Sequence, residues 1–247
     1  MASRAAIVTG ASSGIGRGLA HMLGEEGYAL TIASRRAEKL EPAAQELRDA
    51  GYEVEALTAN LGGPDSEDEV RKVVEAHRDR FGRLDVLVNN AGVGIGAPAA
   101  EIVTKRLDIQ LNTNLRQIIL FYRESLDMLR AAGAEHRNAL VVNTASVAGK
   151  RGEAWLSVYS ATKFAVVGFT QSMNKELNGD GIKSTALCPA FVDTPMTDFV
   201  KGQVPPEKMI QVSDIAEMAR ALLKLTPGCV IPEIVFELPG GGDLPGV

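Results

Sequence analysis

The stretch Ala5-Ala6-Ile7-Val8-Thr9-Gly10-Ala11-Ser12-Ser13-Gly14-Ile15-Gly16 decides the architecture of this chain. Its first five residues read as an apolar strand, and a segment of helical period opens at Ile15. Between them, Gly10 allows a tight turn, Gly14 lets backbone approach a pyrophosphate, and Gly16 permits close helix packing. The helix N-terminus offers unpaired N–H groups to an anion, and Ser12 and Ser13 add hydroxyl donors. A glycine cluster can also be a flexible turn, and this spacing departs from G-x-G-x-x-G. Its position between a first strand and a helix favours phosphate binding.

Working outward, short β-branched apolar runs alternate with longer segments of helical period. The runs 5–9, 29–33, 54–59, 85–89, 139–144, 184–188 and 234–238 read as strands, and 15–26, 37–50, 66–81, 99–132, 157–177 and 213–225 as helices. Strands that are apolar on both faces and joined by helices predict an α/β fold of Rossmann type. It is a doubly wound parallel sheet of about seven strands with helices on both faces. No repeat, low-complexity tract or linker divides residues 1–247, so a single domain is expected. The rhythm breaks at 190–212, which carries Pro195, Pro205 and Pro206 together with Phe191, Met196 and Phe199. A connection of this length inside a compact domain is usually functional or mobile, and a substrate lid is expected here.

Composition excludes several classes. A chain of 247 residues can bury a substantial core, and its net charge of −5, with both signs dispersed, argues against nucleic acid. Met1 to Val8 lead straight into the first strand without a signal-peptide core, and nothing nearby would span a bilayer. Cys188 and Cys229 are too few for a disulfide framework, and His21, His77 and His136 are too scattered for a metal site. A soluble cytoplasmic protein fits these features.

Chemistry concentrates in the second half. Ser146 follows the apolar run Ala139-Leu140-Val141-Val142-Asn143-Thr144, and Lys163 lies four residues beyond Tyr159. On a helix over 157–177 the phenol and the ammonium share one face, one turn apart. A neighbouring cation stabilises phenolate. Bringing a tyrosine from its usual pKa near 10 to roughly 7 requires on the order of 4 kcal/mol, much of which a close, partly desolvated lysine could supply. Such a pair exchanges protons at neutral pH. Of Tyr28, Tyr52, Tyr122 and Tyr159, only the last has a lysine four residues on.

The end of the second strand discriminates between nicotinamide cofactors, because an acidic residue there accepts from a ribose 2′-hydroxyl. The chain instead reads Ala33-Ser34-Arg35-Arg36, and a guanidinium can pair with a 2′-phosphate. NADP(H) is therefore favoured over NAD(H). Alternatively both arginines are solvated helix-start residues, with Glu38 neutralising one.

Together these pieces resemble the short-chain dehydrogenase/reductase family over nearly the whole chain. Five motifs occur in that family's order: the glycine loop 9–16, Asn89-Asn90-Ala91-Gly92, Asn114-Leu115, Ser146, and Tyr159 with Lys163. The resemblance implies one NAD(P)-binding catalytic domain, 1–247, that moves a hydride between nicotinamide and a small carbonyl or alcohol. It implies Tyr159 as general acid in reduction, with Lys163 lowering its pKa and holding the nicotinamide ribose. Ser146 would hydrogen-bond the substrate carbonyl, and Asn114 would position a water linking Lys163 to a proton relay. Asn90, Ala91 and Gly92 would lie against adenosine or ribose, and Asn60 and Leu61 near adenine. Pro189-Ala190, Val192, Thr194 and Met196 would border the nicotinamide. A homotetramer or homodimer is also implied.

Three departures from the family pattern stand out. Asn60 occupies a position commonly acidic, Ala190 replaces a glycine and so must avoid positive φ, and prolines flank the final strand within 229–241. Within the family, a 3-oxoacyl-thioester reductase is the alternative to a simple ketone reductase. A non-catalytic dinucleotide sensor would not need Asn114, Ser146, Tyr159 and Lys163 together, and an extended-branch epimerase would need a longer chain. Trp155, Phe191, Met196 and Phe199 either line an apolar substrate pocket or pack internally.

Overall fold

The computed structural model describes residues 4–240. Its sheet contains β1 (Ala5–Thr9), β2 (Ala29–Ser34), β3 (Val54–Thr58), β4 (Val86–Asn89), β5 (Ala139–Thr144), β6 (Ile182–Pro189) and β7 (Glu233–Phe236) in the order β3-β2-β1-β4-β5-β6-β7. Every pairing is parallel. The helices are α1 (Gly14–Glu25), α2 (Ala37–Asp49), α3 (Ser66–Phe81), α4 (Thr104–Leu111), α5 (Gln117–His136), α6 (Ser157–Leu177) and α7 (Val212–Leu223).

Alternate strand residues feed two apolar layers. Ile7, Leu87 and Val141 pack with Val70, Phe121 and Val166 of α3, α5 and α6, whereas Val8, Val88 and Val142 pack with Leu19, Leu40 and Ile215 of α1, α2 and α7. Burying one such side chain stabilises the fold by about 1.5–3 kcal/mol, so the continuous apolar strands have a direct energetic cause. The chain leaves β3 at one edge and re-enters beside β1 as β4. That reversal opens a crevice at the carboxyl ends of β1 and β4, where a doubly wound sheet binds its ligand.

One expected element is different. The helix expected over 99–132 is a short 3₁₀ turn at Ala99–Glu101, then α4, a π-helical turn at Asn112–Arg116, and α5. An inserted residue leaves an apolar helical period legible on both sides, so periodicity does not register the break. What holds the turn is tertiary: the Asn114 carboxamide accepts from Val93 N at 2.8 Å and donates to Val93 O at 2.9 Å. The prolines at 232 and 239 do flank β7, which is an edge strand; Gly241, at the end of that segment, lies outside the described residues.

The amino ends of the strands are locked by a buried polar cluster. Asp85 accepts from Ala5 N at 2.8 Å, from His136 Nε2 at 2.9 Å, and from Arg83 through Nε at 2.9 Å and Nη2 at 2.6 Å. Burial pushes this carboxyl's pKa up, but Arg83 and the other donors together hold it below the usual aspartate value. Nearby, fully buried His77 approaches Arg83 O at 2.8 Å through Nε2, which fixes the proton there and leaves Nδ1 to accept from Thr31 Oγ1 at 2.7 Å. Burial lowers the pKa of His77 to about 4.

Candidate active site

A cavity of about 1340 Å³ runs along the carboxyl ends of the strands, from Arg35 and Asn60 at one end to Trp155 and Phe199 at the other. Drug-sized ligands occupy sites of about 300–1,000 Å³, so this cavity has room for more than one small molecule.

At the β1–α1 turn the backbone takes left-handed conformations at Gly10 (φ +67°) and Gly14 (φ +53°). A Cβ at Gly10 would lie 2.9 Å from the Ala91 Cα, and one at Gly14 2.9 Å from Thr194 Cγ2. Ser12, Ser13, Gly14 and Ile15 line the cavity; Gly16 does not. Gly16 is buried beneath the loop, where a Cβ would overlap the Gly10 carbonyl and the Asn90 amide, so its part is packing. Ser13 starts α1 in an extended conformation with no side-chain cap, which leaves the first N–H groups of the helix available to an anion.

Asn90 lines the cavity, yet its polar atoms are committed to protein. Its Nδ2 donates to Thr9 O at 3.1 Å and Gly10 O at 3.3 Å, and its Oδ1 accepts from Thr144 Oγ1 at 3.2 Å. Asn90 thus clamps the glycine loop to β4 and β5, while Ala91 and Gly92 present backbone to the cavity. Ser34 donates to Ser12 at 3.0 Å, and exposed Arg35 and Arg36 stand at the rim. Among the described residues no ion pair engages either arginine, so Glu38 does not neutralise them. Asn60 and Leu61 border the same end.

Ser146, Tyr159 and Lys163 converge at the centre. Ser146 caps the turn Val147–Gly149, accepting from Ala148 N at 3.2 Å and donating to Pro189 O at 3.3 Å, which aims its hydroxyl into the cleft. The Lys163 Nζ lies 5.5 Å from the Tyr159 ring centroid and donates to Thr144 O at 2.7 Å. Burial lowers the lysine to a pKa of about 8.

The expected acidification of Tyr159 by Lys163 is not what this geometry produces. Burial raises the phenol above its ordinary value of 10, opposed by the Ser146 hydrogen bond, while the Lys163 ammonium donates to the Thr144 carbonyl. The pair is adjacent, and the phenol stays protonated at neutral pH.

Asn114 is fully buried and does not line the cavity. Its carboxamide is occupied by Val93 and by Thr162 Oγ1, the latter at 3.1 Å, and Thr162 donates to Tyr159 O at 2.7 Å. It therefore ties the π turn, the β4 loop and α6 together behind the reacting groups. Beneath them runs a polar ladder that sequence reasoning did not isolate. Asn89 donates to Asn143 at 2.9 Å, Asn143 to Tyr122 at 3.0 Å and Thr170 at 2.9 Å, and Tyr122 to Ser184 at 2.9 Å.

At the far end Pro189, Ala190, Phe191, Val192, Thr194, Met196 and Phe199 all line the cavity. Ala190 has no positive φ, and its N–H bonds to Phe236 O at 2.9 Å, fixing the turn to β7. The 190–212 connection is pinned at its base by Ile210 N to Phe191 O at 3.0 Å and Asp193 N to Ile210 O at 2.9 Å. Its tip carries exposed Met196 and Phe199, so these two are not internal packing. Trp155 adopts φ +50°, a conformation that costs a bulky side chain about 1–3 kcal/mol. Charged Lys105, Asp108, Arg151 and Glu153 also line the cavity; nothing in their sequence context marked them.

The comparisons with known proteins agree with this geometry. A putative ketoacyl reductase of Streptomyces coelicolor is 37% identical over 242 residues, covering 90% of this chain and 90% of that protein. A 3-oxoacyl-acyl-carrier-protein reductase of Staphylococcus aureus is 33% identical, covering 85% and 83% respectively. Among solved structures, a Phe-to-Trp variant of actinorhodin polyketide ketoreductase with NADPH superposes with a TM-score of 0.85 at 33% identity over the whole of both chains. The short chain dehydrogenase model matches residues 4–204, and the chain belongs to the short-chain dehydrogenase family.

Proposed function

We propose that the protein is an NADP(H)-dependent reductase of apolar ketones or 3-oxoacyl thioesters, with Tyr159 as the proton donor. The observation that carries this reading is the protonated Tyr159 phenol beside the Ser146 hydroxyl and the buried Lys163 ammonium, all facing one dinucleotide-sized cleft.

The residues present fit a dinucleotide. The uncapped α1 N-terminus and the Ser12 and Ser13 hydroxyls would bind the pyrophosphate, and unpaired Arg35 or Arg36 a 2′-phosphate. The solved ketoreductase with NADPH supports the same cofactor. Bound nicotinamide supplies or accepts the hydride. Ser146 donates to the substrate oxygen as negative charge grows on it, and Tyr159 delivers the proton to that atom. Lys163, charged below about pH 8, retains donors beyond its bond to Thr144 with which to hold a ribose hydroxyl. A phenol that stays protonated at neutral pH can donate its proton in the reductive direction. Asn114 acts as a positioning residue.

The thioester substrate rests on the names of the relatives; the apolar lining supports either substrate class. Both cysteines are unpaired and no described helix is long and apolar enough to cross a membrane, in keeping with the cytoplasmic reading. The test is cofactor absorbance with NADPH and NADH against ketones and acetoacetyl thioesters. Turnover with NADPH is expected, and a preference for NADH would overturn the assignment of the arginines.

A further inference from the structure

Trp155 belongs to two spaces at once. It lines the substrate end of the main cavity and also a small hollow of about 10 Å³, bordered by Ile95, Ile102, Val103, Leu107 and Val158 and by the polar Arg106, Gln110 and Ser157. The indole is therefore the partition between them. Three features fix it there. Its backbone is held at φ +50°, its carbonyl accepts from Ala97 N at 2.7 Å, and its ring lies on Gly96, where a Cβ would overlap Cε3 and Cζ3. The supporting loop is in turn held by Ile95 N donating to Gln110 Oε1 at 3.1 Å. A large side chain in a left-handed conformation persists only where its surroundings over-determine it, and such strain gathers at ligand clamps. Gly94 of the same loop sets the other boundary, since a Cβ there would stand 3.9 Å from the Tyr159 ring.

We propose that Trp155 is the end wall of the substrate cavity and sets the size of the apolar group that the reacting carbonyl can carry. Short acyl chains or a single ring fit between Tyr159 and the indole; longer tails are stopped. Removing the indole vacates its own volume at that end of the cavity, and the lengthened space would then take a longer tail. The inference rests on the reductase reading and adds a specificity determinant to it.

The experiment compares wild type with Trp155→Gly, chosen because glycine accepts the left-handed backbone. Substrates are ketones and 3-oxoacyl thioesters lengthened two carbons at a time, with NADPH. The ratio of kcat/KM for long over short substrates is expected to rise by about tenfold or more in the variant, the scale of steric exclusion from an apolar pocket. An unchanged ratio overturns the proposal. Gly96→Ala should push the indole into the cavity and shift preference to shorter substrates. It should lose that effect in the Trp155→Gly background, and additive behaviour of the two substitutions contradicts the wall.

Trp155 is the sole tryptophan of the chain, so its emission reports binding directly. With oxidised cofactor present, apolar ketones should give a saturable shift to shorter wavelength as they cover the half-exposed indole. No shift with any of them overturns the proposal even if the glycine variant fails to fold. If wild type reduces none of the series, the reductase reading has failed, and the emission titration still decides the wall.

Discussion

At the amino ends of the strands Asp85 is 1% exposed and both its oxygens are held by donors from Ala5, Arg83 and His136; at the carboxyl ends Lys163 is 3% exposed and, among the described residues, its ammonium bonds only Thr144 O. The two groups are equally buried and serve different ends. A buried charge with every partner in place holds strands together, because removing a partner strands the charge in a medium of low polarity. A buried charge with unused donors keeps bonding capacity for a molecule that is not part of the chain, and that is what a site requires. Two aromatic rings, His77 buried and Tyr159 half-buried, repeat the contrast. His77 has both nitrogens satisfied by protein, while among the described residues the Tyr159 hydroxyl bonds Ser146, which lines the cleft.

The contrast is broken most sharply by Asp85→Ala. Leaving the Arg83 guanidinium without its carboxylate should cost about 3–5 kcal/mol of stability in denaturant melts, with turnover per folded molecule kept. Loss of turnover without loss of stability would mean that the amino-end cluster belongs to the site. At the opposite end, Ser146→Ala should lower kcat on the order of 10²–10³-fold while the melting temperature changes little. A comparable fall in stability would make Ser146 another packing group.

Acid titration sharpens the same comparison. His77 is folded with a pKa of about 4 against an ordinary 6.5, so below pH 6.5 the unfolded chain takes up a proton that the native chain refuses. Stability should fall as pH drops from 6.5 towards 4, by on the order of 3 kcal/mol at full effect. Asp85, whose folded pKa is lowered, adds a further loss only as pH falls below its ordinary 3.8. His77→Gln should flatten the first window in calorimetry, and an unchanged slope would assign it to other groups. The smallest effect is at the rim. Arg35→Ser should weaken NADPH binding about tenfold, the scale of a charge-assisted hydrogen bond to phosphate, and leave NADH binding unaltered in fluorescence titration.

The same physical division decides what could be read from the sequence. The glycine loop, the strand alternation and the Tyr159–Lys163 spacing are local patterns, and each has the place that its pattern implies. The π turn at Asn114 escaped because an apolar helical period continues across one extra residue. Gly16 has the packing place that its position in the loop implies, whereas Asn90, expected against the ligand, spends its side chain on the loop, a fact that depends on β1 and β4 being neighbours. The raised pKa of Tyr159 escaped because burial depth is a three-dimensional quantity. The cluster around Asp85 joins residues as far apart as Ala5 and His136, a pairing that no local pattern encodes.

The central claim is that a protonated Tyr159 delivers the proton while other groups hold the cofactor. It is tested most directly by Tyr159→Phe, measured for NADPH turnover and, by cofactor fluorescence, for NADPH affinity. Turnover is expected to fall on the order of 10²–10⁴-fold with affinity within a few-fold of wild type. Turnover equal to wild type in a variant that binds NADPH would contradict the account.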